Sequence, residues 1–121
     1  MKPQLTVICR SYNQKPFLAE AIASVFDQEG VIFETILVDD GSTDGSAALA
    51  LDLSKKYAFD QVFLHDTNLG NTKSFNHALM YANGDYVIDF ACDDVFLEGA
   101  FKSQVDCLLE SPEVGMLYSL E

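Results

Sequence analysis

Positive charge is what this sequence has least of. Seven lysines and arginines stand against nineteen aspartates and glutamates, for a formal net charge of −12 in 121 residues. A partner bound through its phosphate backbone needs a basic face, so nucleic acid is excluded as a partner. A nucleotide held through a bridging cation is not. Cysteine is also scarce. Cys9, Cys92 and Cys107 are odd in number and widely spaced, with no CxxC or Cys/His cluster. That spacing argues against a zinc site and fits a reducing compartment. No apolar run approaches membrane-spanning length, and the amino terminus lacks the signal-peptide pattern. Neither GxGxxG nor GxxxxGK[ST] occurs, which removes the dinucleotide fingerprint and the P-loop. No Ser–His–Asp or Cys–His arrangement can be argued from the order of residues.

What is present is a hydrophobic content of 49%, enough for a real core and too high for a disordered chain. The length suits one domain or part of one. Leu5–Cys9 is a compact β-branched run and reads as a buried strand, followed by the loop Arg10-Ser11-Tyr12-Asn13. Pro16 suits a first helical turn. Phe17, Leu18, Ala21, Ile22, Val25 and Phe26 then repeat at helical spacing, and Gly30 marks the end of that helix. Phe33–Val38 reads as a second strand that delivers Asp39-Asp40. Ser42, Thr43 and Asp44 are N-cap candidates for a helix with Leu49, Leu53 and Tyr57 on one face. Gln61–Leu64 is a short strand. The polar turn 66–71 leads to a helix with Phe75, Leu79 and Ala82 in phase, closed by Asn83-Gly84. Asp85–Phe90 is a strand that delivers Ala91-Cys92-Asp93-Asp94. A last helix carries Phe101, Val105, Leu108 and Leu109, and Val114–Tyr118 reads as a final strand.

Strands alternating with helices predict an α/β fold, a mostly parallel sheet with helices on both faces, Rossmann-like in architecture. The strands are nearly all apolar, as doubly covered strands should be. Ligands of such sheets bind at the carboxyl ends of the strands. Two acidic pairs stand there. Asp39-Asp40 exceeds what helix capping needs, and a carboxylate in that position can accept from a base N–H or a ribose hydroxyl. Asp93-Asp94 suits a hard divalent cation, since Mg²⁺ takes one or two carboxylates together with phosphate oxygens and water. Lys73 and Asn76 lie one turn apart on a helix, and Lys73 near its N-terminus could meet a phosphate. His65 and His77 have no partner visible in the sequence and read as structural.

Five motifs in order make the chain resemble the nucleotide-binding half of family 2, GT-A fold, glycosyltransferases. Ser11-Tyr12-Asn13 matches the TYN-like turn of that family. Leu18, Ala21, Ile22, Ser24, Val25 and Gln28 match its first helix, and residues 38–46, VDDGSTDGS, its most characteristic stretch. Asn68, Gly70 and Asn76 match an N-x-G turn with a later Asn. Ala82, Gly84, Asp85 and Tyr86 match the start of the strand before the metal element, which lands on 91–94.

The resemblance implies a transferase that moves a sugar from a nucleotide-diphosphate donor, usually UDP-linked, to an acceptor hydroxyl with inversion. Mn²⁺ or Mg²⁺ would bridge the diphosphate. It implies that Asp39 accepts from the base and that Ser11, Tyr12 and Asn13 line the base pocket. Asp40, Asn68, Gly70, Lys73, Asn76 and Cys92 complete the nucleotide-binding set, and Asp93 and Asp94 form the metal element. The acceptor would be a carbohydrate or a lipid-linked molecule of polysaccharide biosynthesis. The setting would be cytoplasmic, with peripheral membrane association through other regions. Residues 1–121 would form a partial domain, the donor-binding half, with the general base beyond Glu121.

Three departures from the family pattern stand out. Ala91 replaces the first acid of the metal element. Phe75 stands where an Arg is common, so that Lys73 would supply the missing charge. Arg10 stands where Pro is usual. A non-catalytic nucleotide-sugar-binding module is the alternative reading, and a receiver-type signalling domain a more distant one.

Overall fold

The computed structural model describes residues 2–110 and 116–118. Nine elements follow one another: β1 (Leu5–Ser11), α1 (Lys15–Phe26), β2 (Phe33–Asp39), α2 (Ser46–Lys56), β3 (Gln61–Leu64), α3 (Asn71–Leu79), β4 (Tyr86–Ala91), α4 (Ala100–Glu110) and β5 (Met116–Tyr118). The order matches the sequence reading. Val114, placed in the last strand by its apolar context, and the side chains of Leu108 and Leu109 lie outside the described residues.

The strands form one parallel sheet in the order β3-β2-β1-β4-β5. β1 is central. Leu5, Val7, Ile8 and Cys9 in it are all fully buried, which explains its run of β-branched and apolar residues. The chain walks outward from β1 to β3 and then crosses to the other side of β1 for β4. That reversal opens a crevice between the carboxyl ends of β1 and β4. A receiver domain has the order 2-1-3-4-5, so the topology excludes that alternative.

Side chains alternate across the sheet. Val7, Cys9, Leu37, Ile88 and Phe90 face a large core filled by α1, α2 and α4 through Leu18, Ile22, Val25, Leu53, Phe101 and Val105. Ile8, Ile36 and Val38 face the opposite way, where Ala78, Phe75 and Leu79 of α3 cover them. The helices therefore lie on both faces, three against one.

Some boundaries differ from the sequence reading. α1 stops at Phe26 with Asp27 as its C-cap, one turn before Gly30. The cap of α2 is Gly45, at φ 95°, and the preceding Asp44 accepts from the Ser46 N–H at 2.9 Å. α3 ends at Leu79, short of Asn83-Gly84. Those two residues are instead fixed at the amino ends of the strands. Buried Glu34 accepts from the Thr6 hydroxyl at 2.6 Å and from the Asn83 backbone and side-chain N–H groups, while the Gly84 N–H donates to Thr6 Oγ1 at 2.8 Å. Among the described residues no helix is long and apolar enough to cross a membrane.

Candidate functional site

Three loops meet at the carboxyl edge of the sheet, and hydrogen bonds tie each to the next. The turn after β1 brings Asn13 to φ 52°, a conformation in which asparagine is among the few non-glycine residues tolerated. Its N–H donates to Ser42 Oγ at 2.9 Å, and its side-chain oxygen accepts from the Thr43 N–H at 2.7 Å. Ser42 in turn donates to Asp39, from its N–H at 3.0 Å and from its hydroxyl at 2.6 Å.

Asp40 reaches the other way. Its carboxylate accepts from the Leu69 N–H at 2.8 Å and the Gly70 N–H at 3.0 Å, holding the turn that starts α3. His65 Nδ1 lies 3.4 Å from Asp40, and His65 Nε2 lies 2.7 Å from His77 Nδ1. The two rings are stacked, with centroids 5.0 Å apart, and His65 stands between Asp40 and His77. Burial pushes the Asp40 carboxyl up, yet hydrogen bonds from Leu69, Ser74, His65 and Gly70 outweigh it and hold the group below its ordinary value.

Glycine is required at two points of this frame. A Cβ on Gly41 (φ 75°) would stand 2.4 Å from the Thr67 carbonyl carbon, so the 66–70 turn rests directly on its backbone. Gly70, at φ 94° and ψ 157°, occupies a region that is essentially closed to other residues.

The loops enclose a cavity of about 340 Å³ lined by Arg10, Ser11, Tyr12, Gln14, Asp40, Asn71, Ser74, Ala91 and Asp93. Ser11 Oγ and Gln14 Oε1 are buried there with no protein partner. An unpaired buried polar atom costs about 1–3 kcal/mol. Tyr12 is 41% exposed at the mouth, with its ring open to stacking. A recess of about 240 Å³ adjoins, lined by Arg10, Asn71, Thr72, Phe75 and Asp89.

Of the residues anticipated from sequence, Ser11, Tyr12, Asp40 and Asp93 line the cavity. Asp39 does not: it is fully buried, and Ser42 bonds to both of its oxygens. Asn13 pins the neighbouring loop, and Asn68 accepts from the Gly70 N–H at 2.8 Å, so both shape loops at the cavity's edge. Gly70 caps α3.

Other anticipated residues lie off the cavity lining. Cys92 is fully buried, because strand alternation turns it with Phe90 into the core, away from any ligand. Lys73 and Asn76 are exposed and off the cavity, because α3 turns Ser74, Phe75, Ala78 and Leu79 to the sheet and brings Asn71 and Ser74 to the lining. Asp94 also lies off the lining, its N–H turned back to the Ala91 carbonyl at 3.1 Å.

Arg10, Gln14, Asn71, Ser74 and Ala91 line the cavity without having been singled out for it from sequence. Helical phase counted from Gly70 gives Asn71 and Ser74. Arg10 is one residue before the strand end, on the face that α3 covers. Its guanidinium pairs with Asp89, through Nε to one oxygen and Nη2 to the other at 3.2 Å.

That pairing bears on metal binding. Among the described residues no three His, Cys, Asp or Glu side chains gather closely enough to hold a cation. Ala91 offers nothing, and Asp89 is engaged by Arg10. The carboxylates left on the cavity are Asp40 and Asp93. Such a set fits a hard cation only when phosphate oxygens and water complete its shell.

The sequence profile of Glycosyl transferase family 2 matches residues 6–120. EpsE of Bacillus subtilis (strain 168), whose name marks it as a candidate glycosyltransferase, is 36% identical over 105 residues, 85% of this chain and 37% of its own length. The chain spans well under half of the curated relatives it matches, from 36% to 44% of the first four. Among solved structures, S. aureus TarS 1-349 in complex with UDP is 27% identical with a TM-score of 0.73, covering 92% of this chain and 32% of that one. The mannosyltransferase PcManGT from Pyrobaculum calidifontis, in complex with GDP-Man and Mn²⁺, shares the fold at 22% identity and a TM-score of 0.74, covering 89% of this chain and 32% of that one.

Proposed function

This chain belongs to glycosyl transferase family 2, and from that premise we propose that it is the donor-binding half of a nucleotide-sugar-dependent transferase. Acceptor site and general base are supplied by sequence outside these 121 residues. The observation that carries the reading is the cavity at the β1–β4 crevice, with Tyr12 exposed at its rim and Asp40 and Asp93 on its lining. In this reading Tyr12 stacks on the base, and Ser11 and Gln14 bond to the nucleoside. Asp40, the acidic-pair member that lines the cavity, would accept from a base or ribose donor alongside the Leu69 and Gly70 N–H groups it already holds. The donor is a nucleoside diphosphate sugar, UDP-linked by similarity to the UDP-complexed relative. The amino end of α3 faces the diphosphate through Asn71 and Ser74, where the unpaired N–H groups of a first turn favour an anion.

A divalent cation, Mn²⁺ or Mg²⁺, would be held by Asp93 together with the diphosphate, and when bound it would neutralise charge on the departing diphosphate. Asp93 would help hold the donor diphosphate through that cation, and the sugar would pass to an acceptor hydroxyl of a carbohydrate or lipid-linked molecule with inversion. A cytoplasmic setting belongs to the same proposal.

Calorimetric titration with UDP in the presence of Mn²⁺ tests the reading. Micromolar-range binding that needs the metal is the expected result. A folded protein that gives no heat with UDP or GDP overturns it.

Ala91 favours a second reading, a nucleotide-sugar-binding module without transfer, because one expected ligand of the metal element is missing. A transfer assay on the full-length gene product separates the two: donor bound but never consumed selects the module.

A further inference from the structure

Arg10 is the one Lys or Arg lining a cavity that also presents Asp40 and Asp93. Its position is fixed from an unusual direction. A guanidinium has five N–H donors in a rigid planar fork. Asp89 takes the side-on edge, Nε and one hydrogen of Nη2. The remaining three hydrogens, both on Nη1 and the second on Nη2, have no partner among the described residues. One hydrogen of Nη1 and the free one of Nη2 form the end-on edge of the fork, and the other Nη1 hydrogen points back toward Cδ. About a fifth of the side chain remains accessible, 19%, and Arg10 lines both the cavity and the adjoining recess. The side chain is therefore immobilised by its own counter-ion, and one complete recognition edge is left over. Phe75 lines the same recess and brings no polar group to it.

We propose that Arg10, held side-on by Asp89, is a donor-recognition residue whose end-on edge takes a pair of acceptor atoms from the bound nucleotide. The inference rests on the nucleotide-sugar reading above and adds to it the cation that the acidic cavity otherwise lacks. Two parts of such a ligand present paired acceptors at the right spacing. One is the diphosphate, with two non-bridging oxygens; the other is a purine base, whose O6 and N7 form the familiar arginine match. Uracil has no such adjacent pair. Lys73 is not the source of this charge, because it is exposed and off the cavity.

The test compares the wild-type protein with Arg10→Lys and with the double variant Arg10→Met/Asp89→Leu, titrated with UDP, GDP and pyrophosphate in the presence of Mn²⁺. The double variant removes both charges together, so no buried carboxylate is left unpaired and the fold is kept. Arg10→Lys keeps the charge and loses the planar fork. The expected result is at least a tenfold loss of nucleotide affinity in both variants, with melting curves close to wild type. A loss that extends to UDP, GDP and pyrophosphate alike assigns the edge to the diphosphate. A loss confined to GDP assigns it to the purine. Nucleotide binding within twofold of wild type in the folded double variant overturns the inference and leaves the proposed function standing. Absence of binding in the wild type overturns both.

Discussion

The carboxylate of Asp40 accepts the Gly70 N–H at 3.0 Å across 30 residues of chain, and its other oxygen accepts the Leu69 N–H at 2.8 Å. The end of β2 thereby holds the beginning of α3. Two strand-helix units that are independent in sequence share one side chain, and that side chain lies on the cavity. Asp40→Asn replaces a charged acceptor by a neutral one and turns an amide N–H toward a backbone donor. It is expected to cost about 2 kcal/mol, the scale of hydrogen bonds to a charged group. Urea unfolding monitored by circular dichroism measures the loss.

The same carboxylate gives the stability an acid-side dependence. Its pKa in the folded protein is held below the ordinary 3.8, so between the two values the unfolded chain binds more protons than the folded one. Its contribution is fully present above the unfolded value and is lost as pH falls through the folded one. Asp44, lowered chiefly by the Ser46 hydroxyl, acts in the same direction. The urea midpoint should fall between about pH 5 and pH 3. The gap between wild type and Asp40→Asn should narrow over that interval. A gap that stays constant down to pH 3 contradicts the assignment.

Gly41 and Gly99 separate two effects of glycine. Both have positive φ, 75° and 77°. A Cβ on Gly99 meets nothing within 4 Å, whereas one on Gly41 meets the Thr67 backbone at 2.4 Å. Gly99→Ala should cost about 1 kcal/mol, the backbone term alone. Gly41→Ala should cost about 3 kcal/mol or more, because the 66–70 turn has to move as well. Paired thermal melts of the two variants give the comparison.

Metal affinity should appear only with nucleotide. With two cavity carboxylates and no three-ligand cluster among the described residues, Mn²⁺ alone should bind weakly, in the millimolar range or not at all. Adding UDP should produce a bound Mn²⁺ signal in paramagnetic resonance, and Asp93→Asn should abolish it. Tight Mn²⁺ binding without nucleotide would point to ligands outside the described residues.

The element order is legible in the sequence because the apolar runs are short, β-branched and punctuated by glycine and asparagine. The edge that carries the loops is legible because parallel strands share their carboxyl ends. The pairing of Arg10 with Asp89 is not. Those residues are 79 apart, and their contact depends on β1 and β4 being neighbours, which no local pattern encodes. Nor does the sequence orient the two members of Asp39-Asp40, because adjacent residues at a strand end point to opposite sides and only the 66–70 turn decides which one is covered. For α3, Ser74, Phe75, Ala78 and Leu79 form the face that meets the sheet, and that phase leaves Lys73 outward.

The cluster of Thr6, Glu34, Asn83 and Gly84 sits at the opposite end of the sheet from all of this chemistry. It clamps three strands at their amino ends through a single carboxylate, with no residue in common with the cavity. One end of the domain thus works as a chassis and the other as an exchangeable fitting. Loops after β1, β2 and β4 transplanted from another donor specificity should be accepted as long as Glu34 and its partners are left alone, which makes this half-domain a practical recipient for grafted sugar-nucleotide selectivity.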